Sequence, residues 1–524
     1  MGQISSHIWR KAVYMPLLFV CSRMLVLLLL VVCCALAWWV GWRVRHRGLL
    51  ALAARLPGPP ALPVLGNALR FMVPSEELSN VIGRLIQEYG DVWRFWLGPD
   101  LNIVVSNPDD IKNLLSNSKT STKGPQYKYM ADFLGEGILS GSGPTWRMRR
   151  KIALPNYGRR AVENYEEVFN READVTLERL RRRRGGAFDI YDDIVSGTTY
   201  TVCQALMGLN RQQALNLPHL HEIINESHEM YLLVFMRMTK WYLQIEPLYR
   251  VTKYYQKQIA MIKKILEMVD AIVQHRLKVL ETINDERKAE ILNSEGDNKH
   301  NTELSVVDRL VLSKQISSYE EILREIFTLF TSSQEATAKM TSFLLLMMAY
   351  HPEYQEKVYA EIKKVFGESD RDVTDDDIKQ MTYLDMVFKE VLRLFPIGVM
   401  LQRTISEDIE ISNATLPAGC SLVVPIFHMH RDKRHWNNPE AFDPERFSPE
   451  NAKLRHTSCY IPFSLGPMDC MGRYFGTKLV KTMSVKILRR FRLTSPETYT
   501  DMRLVMAVSV ASVNGYPVQL HPRY

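Results

Sequence analysis

Phe463-Ser464-Leu465-Gly466-Pro467-Met468-Asp469-Cys470-Met471-Gly472 decides how this chain is read. The stretch runs into a helical pattern with Phe475, Leu479, Met483 and Ile487 on one face. A cysteine at a helix N-terminus lies where the dipole and free backbone N–H groups favour thiolate. Flanking glycines let the backbone turn tightly and aim N–H groups at the sulfur, an arrangement that tunes a metal ligand. An isolated cysteine is more often inert core than ligand. Cys470 stands between Gly466 and Gly472, behind an aromatic residue and before a helix, and together these features favour the ligand.

Upstream, Glu390-Val391-Leu392-Arg393 lies in an amphipathic helix ending at Phe395-Pro396. The spacing of three puts Glu390 and Arg393 on one face, and Leu384, Val387, Phe388 and Val391 bury much of the helix. A surface ion pair is the plain reading of that pair alone. Asp443-Pro444-Glu445-Arg446-Phe447 supplies a second arginine, which would complete a buried Arg–Glu–Arg cluster that fixes geometry more than it adds stability.

At the other end, Met24 to Trp42 carries no charge and closes on Trp38, Trp39 and Trp42, with Arg43, Arg45 and Arg47 directly after. This is the pattern of an uncleaved membrane anchor with tryptophans near the headgroups. The proline-rich stretch from Leu56 to Asn67 resists helix formation and reads as a stiff connector. The expected division is therefore an anchor with its basic flank over 1–47, a proline-rich hinge over 48–70 and one large folded body over 71–524.

The whole chain has 524 residues, 46% of them hydrophobic and 24% charged, which excludes a disordered, collagen-like or many-span membrane protein. The net charge of +8 suits an anionic membrane face or an acidic protein partner, and gives no case for nucleic acid. Seven scattered cysteines form no disulfide framework and point to a reducing, cytosol-facing compartment. Most of the body reads as helix by period, over 160–180, 250–281, 318–350, 353–366 and 376–395. Strand-like pieces lie at 91–97 and 102–105, and residues 283–303 read as an exposed loop. Arg179 and Arg181 to Arg184 read as a solvated helix end. The fold class expected is mainly α with a smaller β region.

These motifs, in this order, resemble a cytochrome P450, a haem-thiolate monooxygenase. The resemblance rests on the cysteine loop (Phe463, Gly466, Cys470, Gly472), the Glu-x-x-Arg helix (Glu390, Arg393) and the Pro-Glu-Arg-Phe segment. The proline hinge, the anchor and Trp146-x-x-x-Arg150 add to it. It spans roughly residues 50 to 520. Lys389-Glu390-Val391-Leu392-Arg393-Leu394-Phe395-Pro396 and His430-Arg431-Asp432 are most similar to family four, the fatty-acid hydroxylases, in its insect members.

The resemblance implies iron protoporphyrin IX with Cys470 as axial thiolate. It places Trp146, Arg150 and Arg403 at the haem propionates and Glu390, Arg393 and Arg446 in the scaffold on the cysteine side. It also implies an endoplasmic reticulum membrane location with the catalytic body in the cytosol, electrons from NADPH through NADPH-cytochrome P450 reductase, and a small lipophilic substrate. The central helix departs from the family pattern Glu-Gly-His-Asp-Thr-Thr. Ser332 stands for the glutamate that can esterify haem, and Ser333 for the glycine beside the oxygen pocket. Glu335 keeps the acid, Ala336 stands for the oxygen-activating threonine, and Thr337 follows one position late. Glu335 and Thr337 remain the catalytic candidates. Met468 stands where an Arg or His usually meets a propionate. Three readings stay open: a reductase-driven monooxygenase, a peroxide-rearranging enzyme that needs no external electrons, and a weakly active haem-binding or sensing protein.

Overall fold

An apolar helix, Arg23–Arg45, leads the chain and is long enough to cross a membrane. The computed structural model describes residues 23–26, 29–183, 185–293 and 303–523. Arg184, the last of the arginine run, lies outside them. The principal helices are α1 (Ser75–Tyr89), α2 (Tyr127–Leu134), α3 (Gly143–Ala153), α4 (Glu166–Arg182), α5 (Tyr191–Ala205), α6 (Leu220–Thr239), α7 (Lys253–Leu280), α8 (Tyr319–Tyr350), α9 (Thr382–Leu394) and α10 (Arg473–Arg490). The strands that matter here are β1 (Val92–Leu97), β2 (Asp100–Val105), β3 (Thr122–Lys123), β4 (Leu401–Thr404), β5 (Ser421–Val424), β6 (Leu504–Met506) and β7 (Val510–Ser512). The fold is mainly helical with a smaller β region, as expected.

α8 is the axis of the molecule. Ser318 caps it by accepting from the Glu321 N–H, and its 32 residues are apolar nearly all round, so it buries against α5, α10 and α7. The five-stranded sheet runs in the order β1-β2-β5-β4-β3. One face packs Trp96, Ile103, Leu422 and Val424 against Ala53 and Leu56. The other presents Trp93, Phe95, Val104 and Val423. The proline-rich connector lies along the free edge of β1. Pro57 O accepts from Arg94 N at 2.9 Å, and Asn67 exchanges bonds with the Trp96 backbone at 2.7 and 2.9 Å. Gly66 permits this approach, since it sits at φ 61° and a Cβ there would lie 2.6 Å from Trp96 O.

The buried cluster expected around Glu390 is present. Arg393 donates to both Glu390 oxygens at 2.7 and 2.8 Å and to the carbonyls of His430, Pro439 and Ala441. Arg446 Nε lies 3.3 Å from Glu390 without hydrogen-bond alignment, so that contact is Coulombic only. Burial pushes the Glu390 carboxyl up, against the pull of Arg393.

Three expectations need correction. Asp285–Asn293 is a helix, not loop. It lacks an apolar stripe because it is polar nearly all round and braced by Arg287–Glu290 and Lys288–Asp285 pairs at i,i+3. Residues 294–302 of that expected loop lie outside the described residues. The expected helix over 376–395 breaks at Met381, where Glu361 accepts the N–H groups of Tyr383 and Leu384 and starts α9 afresh. Arg179 is not merely solvated: it bonds Thr176 and the Asp193 carbonyl, pinning α4 to the start of α5.

Candidate active site

The cysteine loop folds back on itself, with Cys470 N donating to Phe463 O at 2.8 Å. Gly466 makes this possible. It has φ 75°, and a Cβ there would meet Leu115 O at 2.1 Å. Gly472 has an ordinary φ of −80°, and a Cβ there would touch the Cys470 sulfur and Tyr157 only at 3.9 Å. The requirement for glycine therefore falls on Gly466. Phe463 supports the loop from outside, with the Arg473 guanidinium 5.3 Å above its ring.

Burial pushes the Cys470 thiol up, outweighing the Gly472 N–H and the cations of Arg473 and Arg150. Desolvation is the largest of these influences on the thiol. Cys470 nonetheless has accessible surface. An exposed residue whose thiol is nonetheless desolvated borders a recess in the protein.

Cations gather beside that space. Trp146 is buried, and Arg150 stacks 5.7 Å from its ring while donating to the Asp469 carbonyl and carboxylate at 2.7 Å each. Arg403 is 2% exposed and its guanidinium donates to Gln402 O at 3.0 Å. Lys123 stands opposite Arg403 in the β3–β4 register. Desolvation, then Arg403 and Arg150, hold the Lys123 ammonium well below its usual range. Among the described residues no carboxylate pairs with Lys123 or Arg403. Arg150, Arg403 and Lys123 with one carboxylate beside them fit an anionic group, whose charge would also restore that of Lys123, and two haem propionates would supply it. The cation set and the exposed cysteine thus fit haem. Lys123 was not legible in the sequence, since its two-residue strand carries no motif.

α8 borders the same space. Ser332, Ser333 and Ala336 are its partly exposed positions, whereas Gln334, Glu335 and Thr337 are buried. Tyr157, against Gly472, reaches across to share a hydrogen bond with Ser333 Oγ at 3.1 Å, joining the cysteine loop to α8. Ser332 Oγ donates to Thr328 O at 2.6 Å. Thr337 turns its methyl toward Gly476 of α10 and donates its hydroxyl to the carbonyls of Ser333 and Gln334. Glu335 points away from the space, into a buried cluster. Lys339 Nζ is 2.5 Å from it and 2.5 Å from Ser509 Oγ in the β6–β7 turn, while Tyr231 bonds Thr331 at 3.1 Å alongside. Burial pushes the Glu335 carboxyl up, and Lys339 and Tyr231 oppose it. Neither catalytic candidate, Glu335 nor Thr337, presents its polar group to the open space.

The family model for cytochrome P450 matches residues 56–515. Cytochrome P450 4d2 of Drosophila melanogaster is 30% identical, covering 93% of this chain and 97% of that protein. Cytochrome P450 4g15 of the same organism is 25% identical over 93% and 95% of the two chains, and human Cytochrome P450 4V2 is 29% identical over 88% and 89%. With its cysteine loop, its cation group and a family match over most of its length, the chain belongs to the cytochrome P450 family, the haem-thiolate monooxygenases.

Proposed function

We propose that this protein is a membrane-anchored monooxygenase that oxidises a lipophilic substrate with O2 and with NADPH electrons delivered by a reductase. Its haem, when bound, supplies the oxygen activation. Cys470 ligates the iron, Phe463, Gly466 and Gly472 shape the loop, and Trp146, Arg150 and Arg403 hold the propionates together with Lys123. The anchor is residues 1–47, the connector 48–70 and the catalytic body 71–524, placed on the cytosolic side of the endoplasmic reticulum membrane. The observation that carries this reading is the exposed Cys470 in its glycine-turned loop, with Arg150 bonded to that loop and coupled to Lys123 beside Arg403. An apolar cavity of about 180 Å³ over the sheet supports a lipophilic substrate.

The test is a CO-difference spectrum of the reduced protein, followed by NADPH-dependent turnover with reductase. Cys470→Ala abolishes the thiolate-type spectrum, whereas substitution of Cys203, Cys420 or Cys459 leaves it intact. A normal spectrum in Cys470→Ala overturns the assignment. A second reading, peroxide rearrangement without external electrons, is favoured by one observation: Ala336 offers no hydroxyl and Glu335 is held by Lys339. Peroxide consumption without reductase, and no NADPH-dependent product, selects that reading. Inactivity in both assays leaves a haem-binding or sensing role.

A further inference from the structure

His430 is fully buried at the C-terminal end of α9, between the Glu390–Arg393 cluster and the start of the cysteine loop. A helix leaves its last carbonyls without partners inside the helix. Here two neighbouring side chains take them up. The His430 ring bonds Arg393 O through Nδ1 at 3.2 Å, and Arg431 Nη2 donates to Leu394 O at 2.5 Å. Arg393 Nη1 donates in turn to His430 O at 2.8 Å, so these two residues are tied in both directions. The other ring nitrogen, Nε2, meets the Ile461 N–H at 3.0 Å.

These partners fix the proton on the ring. A carbonyl only accepts, so Nδ1 carries the hydrogen toward Arg393. A backbone N–H only donates, so Nε2 offers its lone pair to Ile461. An imidazolium, with an N–H on both sides, would set two donors against each other at Ile461. Burial, with the cations of Arg393 and Arg431, also pushes the His430 pKa down to about 3.

From Ile461 the chain of contacts reaches Cys470 through two further bonds. Ile461 O accepts from Ser464 N at 3.0 Å, closing a turn that holds Ser464 at φ 63°. Phe463, inside that turn, accepts from Cys470 N at 2.8 Å. A serine in the left-handed region is strained, so the turn depends on what anchors its ends. We infer that His430 is a positioning residue for the haem ligand: its neutral imidazole ties the entry of the cysteine loop to the end of α9 and thereby holds Cys470 in place. The inference rests on the Cys470 reading above and extends it to a residue outside the loop.

The test compares the natural chain with two variants, each full-length and haem-loaded, by reduced-CO spectrum and by amide hydrogen exchange. His430→Phe keeps a ring beside Tyr460, whose own ring lies 5.3 Å from the imidazole, and deletes both bonds. His430→Gln keeps one donor and one acceptor on a neutral side chain. His430→Phe lowers the fraction of thiolate-type CO complex severalfold and speeds exchange at the Ile461 N–H about tenfold, the worth of one hydrogen bond. His430→Gln recovers most of both losses. A natural spectrum in His430→Phe overturns the inference, and so does a His430→Gln protein no better than His430→Phe. If His430→Phe retains no haem, His430→Gln decides alone: a thiolate-type band supports the tie, and its absence refutes it. A natural chain without that band overturns the Cys470 reading and this inference together.

Discussion

Lys339→Met isolates the charge that the central helix buries. Glu335 and Lys339 are 6% and 4% exposed in their side chains and 2.5 Å apart, and Lys339 also serves Ser509. Removing one partner of such a pair costs about 3 kcal/mol, because the other charge stays buried and unpaired. In a chain of this length that lowers the thermal midpoint by about 3 °C, since unfolding entropy grows with the number of residues. The pH dependence carries a definite sign. Without Lys339 the Glu335 carboxyl, already pushed up by burial, rises further, so the folded state holds its proton to higher pH than the unfolded chain does. The variant's stability is therefore fullest below the ordinary glutamate range and falls as pH climbs toward the raised value. Scanning calorimetry at one scan rate, at acidic and at neutral pH, should show the deficit growing on the neutral side. The double variant Glu335→Leu with Lys339→Met should recover most of it, as replacing both members of a buried pair by apolar groups is often neutral. A deficit independent of pH, or a double variant as unstable as the single, would refute a buried ionic pair at this place.

Gly466→Ala should cost at least about 2 kcal/mol and impair haem retention, because φ is positive and Leu115 backbone blocks the new methyl; Gly472→Ala should be tolerated, and equal losses in a thermal and haem-loss assay would contradict the loop geometry. Acid–organic extraction should release free haem, since Ser332 offers α8's open face a hydroxyl bonded to Thr328 O in place of a carboxylate, and Glu335 points elsewhere. Haem left on the denatured chain would place a carboxylate where this structure has none. Ala336→Thr puts a hydroxyl on the partly exposed face and should raise product formed per NADPH severalfold at the expense of peroxide. Tight coupling in the natural protein, with no gain from the substitution, would assign the needed hydroxyl to Ser333 and its partner Tyr157.

Local patterns told most of the fold, because they report on their own neighbourhoods. The β1–β2 hairpin was visible in alternating side chains and a Gly98-Pro99 turn, and α8 in its length and apolar run. What stayed hidden depends on distant residues. Lys123 matters because β3 pairs with β4 across the chain, placing it opposite Arg403, and no composition rule reaches that far. Asp285–Asn293 lacked a stripe because so little of it is buried. The desolvation of the Cys470 loop, a property of the whole fold, likewise shows only once the chain is folded.

The departures in α8 make more sense together than singly. The i,i+4 spacing of Glu335 and Lys339 shows in the sequence that an ion pair can form, but not that the pair is dry. Once it is seen buried, the acid's role changes. A carboxylate held by an ammonium and packed beneath the β6–β7 turn is a clamp between α8 and that turn. The polar groups left on the open face are Ser332 and Ser333, and only Ser333 has a hydroxyl partner outside its own helix. Selection for proton delivery through Glu335 would favour a free or solvent-linked carboxylate. Lys339 removes that freedom, which leaves Ser333, bonded to Tyr157, as the hydroxyl of this helix face tied to the cysteine loop.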